Sequence, residues 1–263
     1  MLELARISSS TPRSAAWPSP APAGLSMGLA RSPEELEAIQ RLRFQIFTEE
    51  MNAVFPDAVD GLDADRYDPW CEHFMVKDLA SDRIVGTYRL LTPANAVKAG
   101  NYYSESEFDL SGLEDIRQNL VEVGRSCIHP DFRTGAVIML LWSGIACVMR
   151  EAGYRYALGC ASVSLRDDGA TAAEVWRRAM QSLAAQPALQ RVTPHHPYPV
   201  ERAGQALPAR MPPLIKGYLK LGADICGKPA WDPDFNTADF PVLLDIERMD
   251  DRYRRHFGMQ RPV

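Results

Sequence analysis

Apolar residues recur at helical spacing from Ser32 to about Met51, where Leu36, Ile39, Leu42, Ile46 and Phe47 fall on one face. The run opens with an N-cap serine, a proline at the first helical position and Glu35 in capping-box register, which predicts a helix start. "HFMVKD" and "RIVGTYRLL" read as two strands joined by a polar turn, and a third strand is predicted over Leu120 to Ile128. Val137, Leu140, Leu141, Gly144, Ile145, Val148 and Met149 then form a clean helical stripe that Gly153 closes. "YALGCASVSL" is predicted as a buried strand, a more polar helix follows over about Ala172 to Ala185, and Pro241 to Ile246 forms a terminal strand.

Between these elements the pattern breaks down. The segment from Asn52 to Trp70 carries five aspartates and no period, so it reads as a long loop, and 92–119 reads as loop with a short helix near Leu113. From Ala185 to Gly222 seven prolines and five Lys/Arg stand against one acid, which predicts an irregular basic extension at about 185–213. Residues 1–31 have the Pro/Ser/Ala composition of a disordered tail. The expected organisation is therefore one α/β domain over 32–257, with short tails at 1–31 and 258–263.

Four charges interrupt the apolar pattern. Arg43 lies within the stripe of the first helix, Arg89 shares a strand face with Val85, Thr87 and Leu91, and Glu122 and Arg125 sit inside the third strand. An isolated buried charge costs several kcal/mol, so these groups are expected to be paired, with Asp63, Asp65 and Asp68 of the long loop folding over them into one network. Glu122 and Arg125, three apart, would point to opposite faces of a regular strand unless Gly124 marks a bulge. Arg133-Thr134-Gly135-Ala136 then leads from that strand into the apolar helix, where free N–H groups and the helix dipole favour an anion. The residues alone leave two readings open: a buried ion cluster that fixes the fold, or a site.

Composition removes several classes. A net charge of −5 and a pI near 5.6 give no electrostatic footprint for nucleic acid. Five widely spaced cysteines without a C-x-x-C pair suggest neither disulfides nor zinc, and no metal is expected. The longest apolar run, Ala136 to Met149, has 14 residues, too few to span a bilayer, and a cytoplasmic location is expected. The Cys71/His73 and Cys127/His129 pairs are expected to be core groups rather than nucleophiles.

Taken together, "YDPWCEHFMVKD", "IVGTYRLL", "EVGRSCIHPDFRTGAVIMLLWSGIA" and "PPLIKGYLKLGADICGKPAWDPDFNTADFPVLLDI" resemble the bacterial ornithine lipid biosynthesis acyltransferases over roughly Ser32 to Phe257. These are a GNAT-like branch related to the acyl-homoserine-lactone synthases. The resemblance implies a GNAT-like fold, a mixed, splayed central sheet flanked by helices. It also implies transfer of a 3-hydroxy fatty acyl group from acyl carrier protein to the α-amino group of L-ornithine, giving lyso-ornithine lipid. No cofactor would be resident, since the 4'-phosphopantetheine thioester arrives on the carrier protein. The positions that match the homoserine-lactone synthases are Arg43, Phe47, Asp65, Asp68, Arg89, Glu122 and Arg125. The Arg133–Ala136 turn has a single glycine, shorter than the pyrophosphate loop of acyl-CoA enzymes, and fits one phosphopantetheine phosphate better.

On this basis Glu122 is expected to be the general base, tuned by burial and by Arg125. Asp65, Asp68, Asp232 and Asp234 are candidates for the ornithine side-chain ammonium, although "WDPDFN" also has strong turn chemistry. Arg150, Arg155, Arg177, Arg178, Arg210, Lys216 and Lys220 are candidates for docking the acidic carrier, and the basic stretch for peripheral contact with the inner membrane. Another amine acceptor, such as glycine, homoserine-lactone chemistry, and a non-catalytic haemolysin-like carrier- or membrane-binding role are the alternatives.

Overall fold

A computed structural model of the chain describes residues 21–51, 53–55, 58–202 and 210–258. Its strands are β1 (Leu25–Leu29), β2 (Glu72–Asp78), β3 (Arg83–Leu91), β4 (Phe108–Asp109), β5 (Leu120–Ile128), β6 (Tyr156–Ser164), β7 (Thr193–Pro194), β8 (Asp224–Ile225), β9 (Ala230–Asp232) and β10 (Thr237–Asp245). The helices are α1 (Pro33–Met51), α2 (Pro93–Ala99), α3 (Ala136–Ala152), α4 (Ala170–Ala185), α5 (Pro213–Leu221) and α6 (Asp251–His256). The main sheet runs β1-β2-β3-β5-β6-β10-β8, with β9 also on β10. All its pairings are antiparallel except β5 with β6.

That one parallel pairing shapes the molecule. It covers only Leu120–Glu122 against Tyr156–Leu158, after which the two strands part. Gly159 sits at the parting point, where a Cβ would lie 2.6 Å from the Val123 carbonyl oxygen. On one side of the sheet α3 buries Val137, Leu140, Leu141 and Ile145 against Phe74, Tyr88 and Val121. α4 and α5 cover the β6/β10 end, where Val175, Trp176 and Ile215 pack with Ala238 and Phe240.

Helix α1 starts as its sequence predicts: Ser32 Oγ accepts from the Glu35 N–H at 3.3 Å, and the Glu35 carboxylate accepts from the Arg31 N–H at 2.8 Å. Strand β5 has the predicted bounds, and α3 ends at Gly153, which takes a left-handed φ of 75°.

Three expectations change. β1 lies inside the stretch read as tail and pairs residue for residue with β2, Leu25 to Asp78 through Leu29 to Phe74. Its sequence, LSMGL, alternates, with Leu25, Met27 and Leu29 packed on the core, but five residues trailing a Pro/Ser/Ala-rich stretch give too short a period to stand out, and pairing at the sheet edge supplies the order. The part of the expected tail at 1–20, and 259–263 at the other end, lie outside the described residues. The basic stretch is ordered by β7, which pairs with β4 in a separate two-stranded sheet, and by bridges from Val192 to Gly227 and Pro197 to Ala230, and it ends in helix α5; within it, 203–209 lie outside the described residues. The terminal strand begins at Thr237, four residues earlier than its apolar run suggests.

Candidate active site

The misplaced charges resolve into an ion network and one separate carboxylate. Arg43, with its side chain fully shielded from solvent, pairs with Asp63 at 3.0 Å and Asp68 at 2.8 Å. Arg89 reaches Asp65 and Asp68 at 2.7 Å each, and Arg125 reaches Asp63 at 3.3 Å and Asp65 at 3.4 Å. Gln40 and His73 add hydrogen-bond contacts to Asp68, through its carboxylate and its carbonyl respectively. Burial opposes ionisation of Asp68, but Arg43 and Arg89 outweigh it and hold its pKa well below the usual range. The network closes the 58–70 loop over the sheet.

Arg125 joins the network through the bulge. Thr87 faces Cys127 while Arg89 faces Gly124, so β5 carries one residue more than β3 across this interval. The strained residue is Arg125 itself, with φ of 51°, rather than Gly124. A left-handed arginine costs on the order of 1–2 kcal/mol, which its two ion pairs and the Tyr103 and Phe235 rings stacked on its guanidinium at 5.0 and 5.6 Å offset.

Glu122 stands outside the ion network, contrary to the expectation of a single cluster. Its Oε2 accepts from the Tyr103 N–H at 2.7 Å, and its Oε1 accepts from the Ser104 N–H at 2.7 Å and the Ser104 hydroxyl at 2.5 Å. Burial pushes its pKa up, and these hydrogen bonds and Arg89 pull against that rise. A carboxylate has about four acceptor sites; three contacts leave one on Oε2.

Glu122 lines a cavity of about 260 Å³ that passes through the gap between β5 and β6. On the loop side the walls are polar: Arg89, Tyr103, Ser104, Arg125, Asp232 and Asp239. On the α3 side they are apolar: Trp142, Ile145, Met149, Leu221, Val242 and Phe257. Phe47, from α1, closes the polar end beside Phe235, the ring centroids 6.1 Å apart.

Of the predicted site residues, Glu122, Arg125, Arg89, Phe47 and Asp232 line this cavity. Arg43, Asp65 and Asp68 do not; they are spent on the ion network and position the loop. Asp234 is exposed, and its N–H closes a turn on Asp232 Oδ1 at 2.9 Å, so the turn chemistry of "WDPDFN" wins at that residue. Arg133, Thr134 and Gly135 are exposed and Ala136 partly so at the start of α3, outside the cavity lining, and Arg133 is engaged by Glu50 at 2.6 Å and the Ile128 carbonyl. No side chain caps the α3 N-terminus, so its N–H groups remain open to an anion.

Two acids escaped the sequence pattern. Glu107 and Asp239, with Asp232, bring carboxylate oxygens within 4.8 Å of one another. Asp239 gives the same signal as Glu122, a charge inside an apolar strand, but "TADFPVLL" begins with the residues that hide the strand's start. Glu107 sits in a polar loop sequence and gives none. The thiols are inert: burial pushes Cys127 to about 12 and raises Cys71 and Cys160 as well.

A sheet splayed at its parallel pair, with a buried carboxylate at the fork and an apolar tunnel behind it, defines an N-acyltransferase of the GNAT class. The acetyltransferase (GNAT) domain family matches residues 42–143. The chain is 36% identical to the L-ornithine N(alpha)-acyltransferase of Brucella abortus, covering 90% of this chain and 89% of that protein. It is 33% identical to the enzyme of the same name from Rhodobacter capsulatus, covering 90% and 96%. The chain belongs to the L-ornithine N(alpha)-acyltransferase family. Its fold is also that of a CoA-dependent acyl-homoserine lactone synthase, BjaI, at 17% identity and a TM-score of 0.50 over 87% of this chain and 84% of that one.

Proposed function

We propose that the protein moves a 3-hydroxy fatty acyl group from the phosphopantetheine thioester of acyl carrier protein to the α-amino group of L-ornithine, forming lyso-ornithine lipid. The observation that carries this is Glu122, buried at the fork of β5 and β6 where a polar chamber meets an apolar tunnel. The relatives' shared name supplies the acceptor.

The fatty chain occupies the α3 side and the amino acid the loop side, so the thioester carbonyl lies at the fork. Glu122 Oε2 takes the proton from the α-ammonium, and the freed amine attacks the carbonyl carbon. Past Glu122 the β5/β6 ladder stops, and N–H groups of β5 that face the gap hold the oxyanion. Collapse forms the amide and breaks the C–S bond; the second proton that the nitrogen sheds leaves with the pantetheine thiol, and Glu122 gives the first to solvent. The thioester arrives with its carrier, so no resident cofactor takes part. The open N-terminus of α3, at Gly135 and Ala136, receives the phosphopantetheine phosphate.

Carrier docking is supported by a shallow groove that gathers Arg178 of α4, Arg210 ahead of α5, and Lys216 and Lys220 of α5, the helix whose Leu214, Tyr218 and Leu221 line the tunnel. Of these, Arg178 is already paired with Glu174 at 2.9 Å, and of the other candidates Arg150, Arg155 and Arg177 are likewise occupied by local partners. Among the described residues no helix is long and apolar enough to cross a membrane. The amphiphilic product and the basic groove support peripheral contact with anionic lipid, which co-sedimentation with phosphatidylglycerol vesicles tests.

The direct test is purified protein with 3-hydroxyacyl carrier protein and L-ornithine, glycine or S-adenosylmethionine in turn, products weighed by mass spectrometry. Acyl-ornithine with release of one carrier thiol per product is expected. Acylation of glycine alone, a homoserine lactone, or no thiol release with any acceptor would overturn the assignment.

A further inference from the structure

The polar chamber contains a charge imbalance that the transfer chemistry does not use. Glu107, Asp232 and Asp239 lie with carboxylate oxygens within 4.8 Å of one another, and among the described residues none of the three forms an ion pair with Lys, Arg or His. Both Glu107 oxygens are shut off from solvent and accept no N–H or hydroxyl among the described residues; their polar neighbour is the Asp239 carboxyl, with which Glu107 is within hydrogen-bonding reach. Asp239, almost wholly buried, is held by the Thr237 hydroxyl at 2.7 Å and the Ser162 hydroxyl at 3.2 Å. Asp232 accepts from the Asp234 and Phe235 N–H groups through the turn after β9.

Scaffolding alone does not explain this group. Burial, followed by the neighbouring acids, pushes the carboxyls of Glu107 and Asp239 upward, so the cluster opposes its own ionisation. Its position is informative: Asp232 and Asp239 line the cavity that Glu122 lines. Ser104, which holds Glu122, lies 3.3 Å from the Cys160 thiol, and Cys160 and Ser162 project from the same face of β6. The cluster thus lies one strand repeat along β6 from the base, roughly 7 Å of backbone. A short alkyl chain carrying a terminal cation spans such a step.

We propose that Glu107, Asp232 and Asp239 form a seat for the side-chain ammonium of a diamino acid, and that this seat selects ornithine over acceptors with uncharged side chains. The proposal rests on the acceptor reading above. With the α-amine at Glu122, the three side-chain methylenes run past Cys160 and the ammonium donates its three N–H bonds to the carboxylates, two of them reaching the empty acceptor sites of Glu107 and Asp232. An acceptor lacking that ammonium leaves buried Asp239 and part-buried Glu107 and Asp232 without a cation, a penalty of the kind that gives polar sites their strong discrimination.

Kinetics with L-ornithine and with L-norvaline, which keeps the carbon chain and lacks the terminal amine, test the seat. The ratio of kcat/KM for ornithine over norvaline is expected to exceed roughly 100-fold in the native protein and to collapse to within a few-fold in Glu107→Gln and in Asp239→Asn. Equal losses on both acceptors, or an unchanged ratio in both variants, would overturn it. Thermal unfolding with no acyl donor present judges the seat independently of turnover. L-ornithine should raise the melting temperature of the native protein, L-norvaline should not, and Glu107→Gln should abolish the shift. Absence of an ornithine shift, or a larger one from manganese or calcium chloride that chelator reverses, would instead exclude an ammonium seat. A native protein that shifts with ornithine yet releases no carrier thiol upholds the seat and sinks the transfer reaction.

Discussion

Two groups of three acids lie on either side of Tyr103, and they are solved differently. Asp63, Asp65 and Asp68 face Arg43, Arg89 and Arg125, so charges match and every member has a partner of opposite sign. Glu107, Asp232 and Asp239 face hydroxyls, backbone N–H groups and each other. The first group is complete without a ligand and fixes a loop. The second is incomplete, and its Asp232 and Asp239 line the cavity beside the base while Glu107 lies behind them. Acid clusters therefore have to be judged by what faces them, since composition and burial are similar in both.

The comparison can be broken from several sides. The largest stability effect should come from Asp68→Ala, which takes one of two acid partners from each of the buried Arg43 and Arg89 and should cost up to about 3–5 kcal/mol, read by urea unfolding at neutral pH. Asp68 has a depressed folded pKa, so its contribution is present above the unfolded value and is lost as pH falls through the folded one. The gap between variant and native protein should accordingly begin to close only below about pH 4. The largest activity effect should come from Glu122→Gln, a fall in kcat of roughly 100- to 10,000-fold in a protein that still folds, although the amide NH2 must face the Tyr103 or Ser104 donors. In the native protein the acid limb of kcat/KM should lie above the ordinary carboxylate range, because burial raises the pKa of Glu122. An activity unchanged by Glu122→Gln removes that residue from the chemistry.

Glu107→Gln should move stability the other way. A raised folded pKa contributes stability below the unfolded value, about 4.3, and that contribution is lost as pH rises through the folded value. The variant should therefore melt higher than the native protein at pH 8, by a few degrees at most, and the two should converge near pH 4. A lower melting temperature at pH 8 would mean that Glu107 already has a cation. The smallest effect should follow from reversing Arg210, Lys216 and Lys220 together. KM for the acyl carrier should rise about tenfold at low salt with kcat unchanged, and the difference should vanish near 0.5 M salt, where exposed charges are screened to within roughly 4–5 Å.

Local patterns carried much of this structure in plain view. The Ser32–Pro33 start of α1, the bounds of β5 and the stripe of α3 follow from capping and periodicity, which act over one or two turns of chain. The same logic exposed Arg43, Arg89, Glu122 and Arg125, because a charge at a core position must find a partner. Which partner was settled by tertiary contact. The 58–70 loop folds onto the arginines, whereas Glu122 is held by Tyr103 and Ser104, from a segment without a readable period. A left-handed φ at Arg125 turns that side chain toward the loop, which an alternating strand pattern does not encode. β1 and the joining of Glu107 to Asp239 likewise depend on sheet edges and turns that bring distant residues together. Sequence by itself determined helices α1, α3 and α4, the central strands and the buried charges that needed neutralising, since each is a cost or gain local to its own segment. Tertiary structure alone decided which acids are matched by arginine and which are left open to the cavity, since that balance depends on residues from separate segments meeting in space.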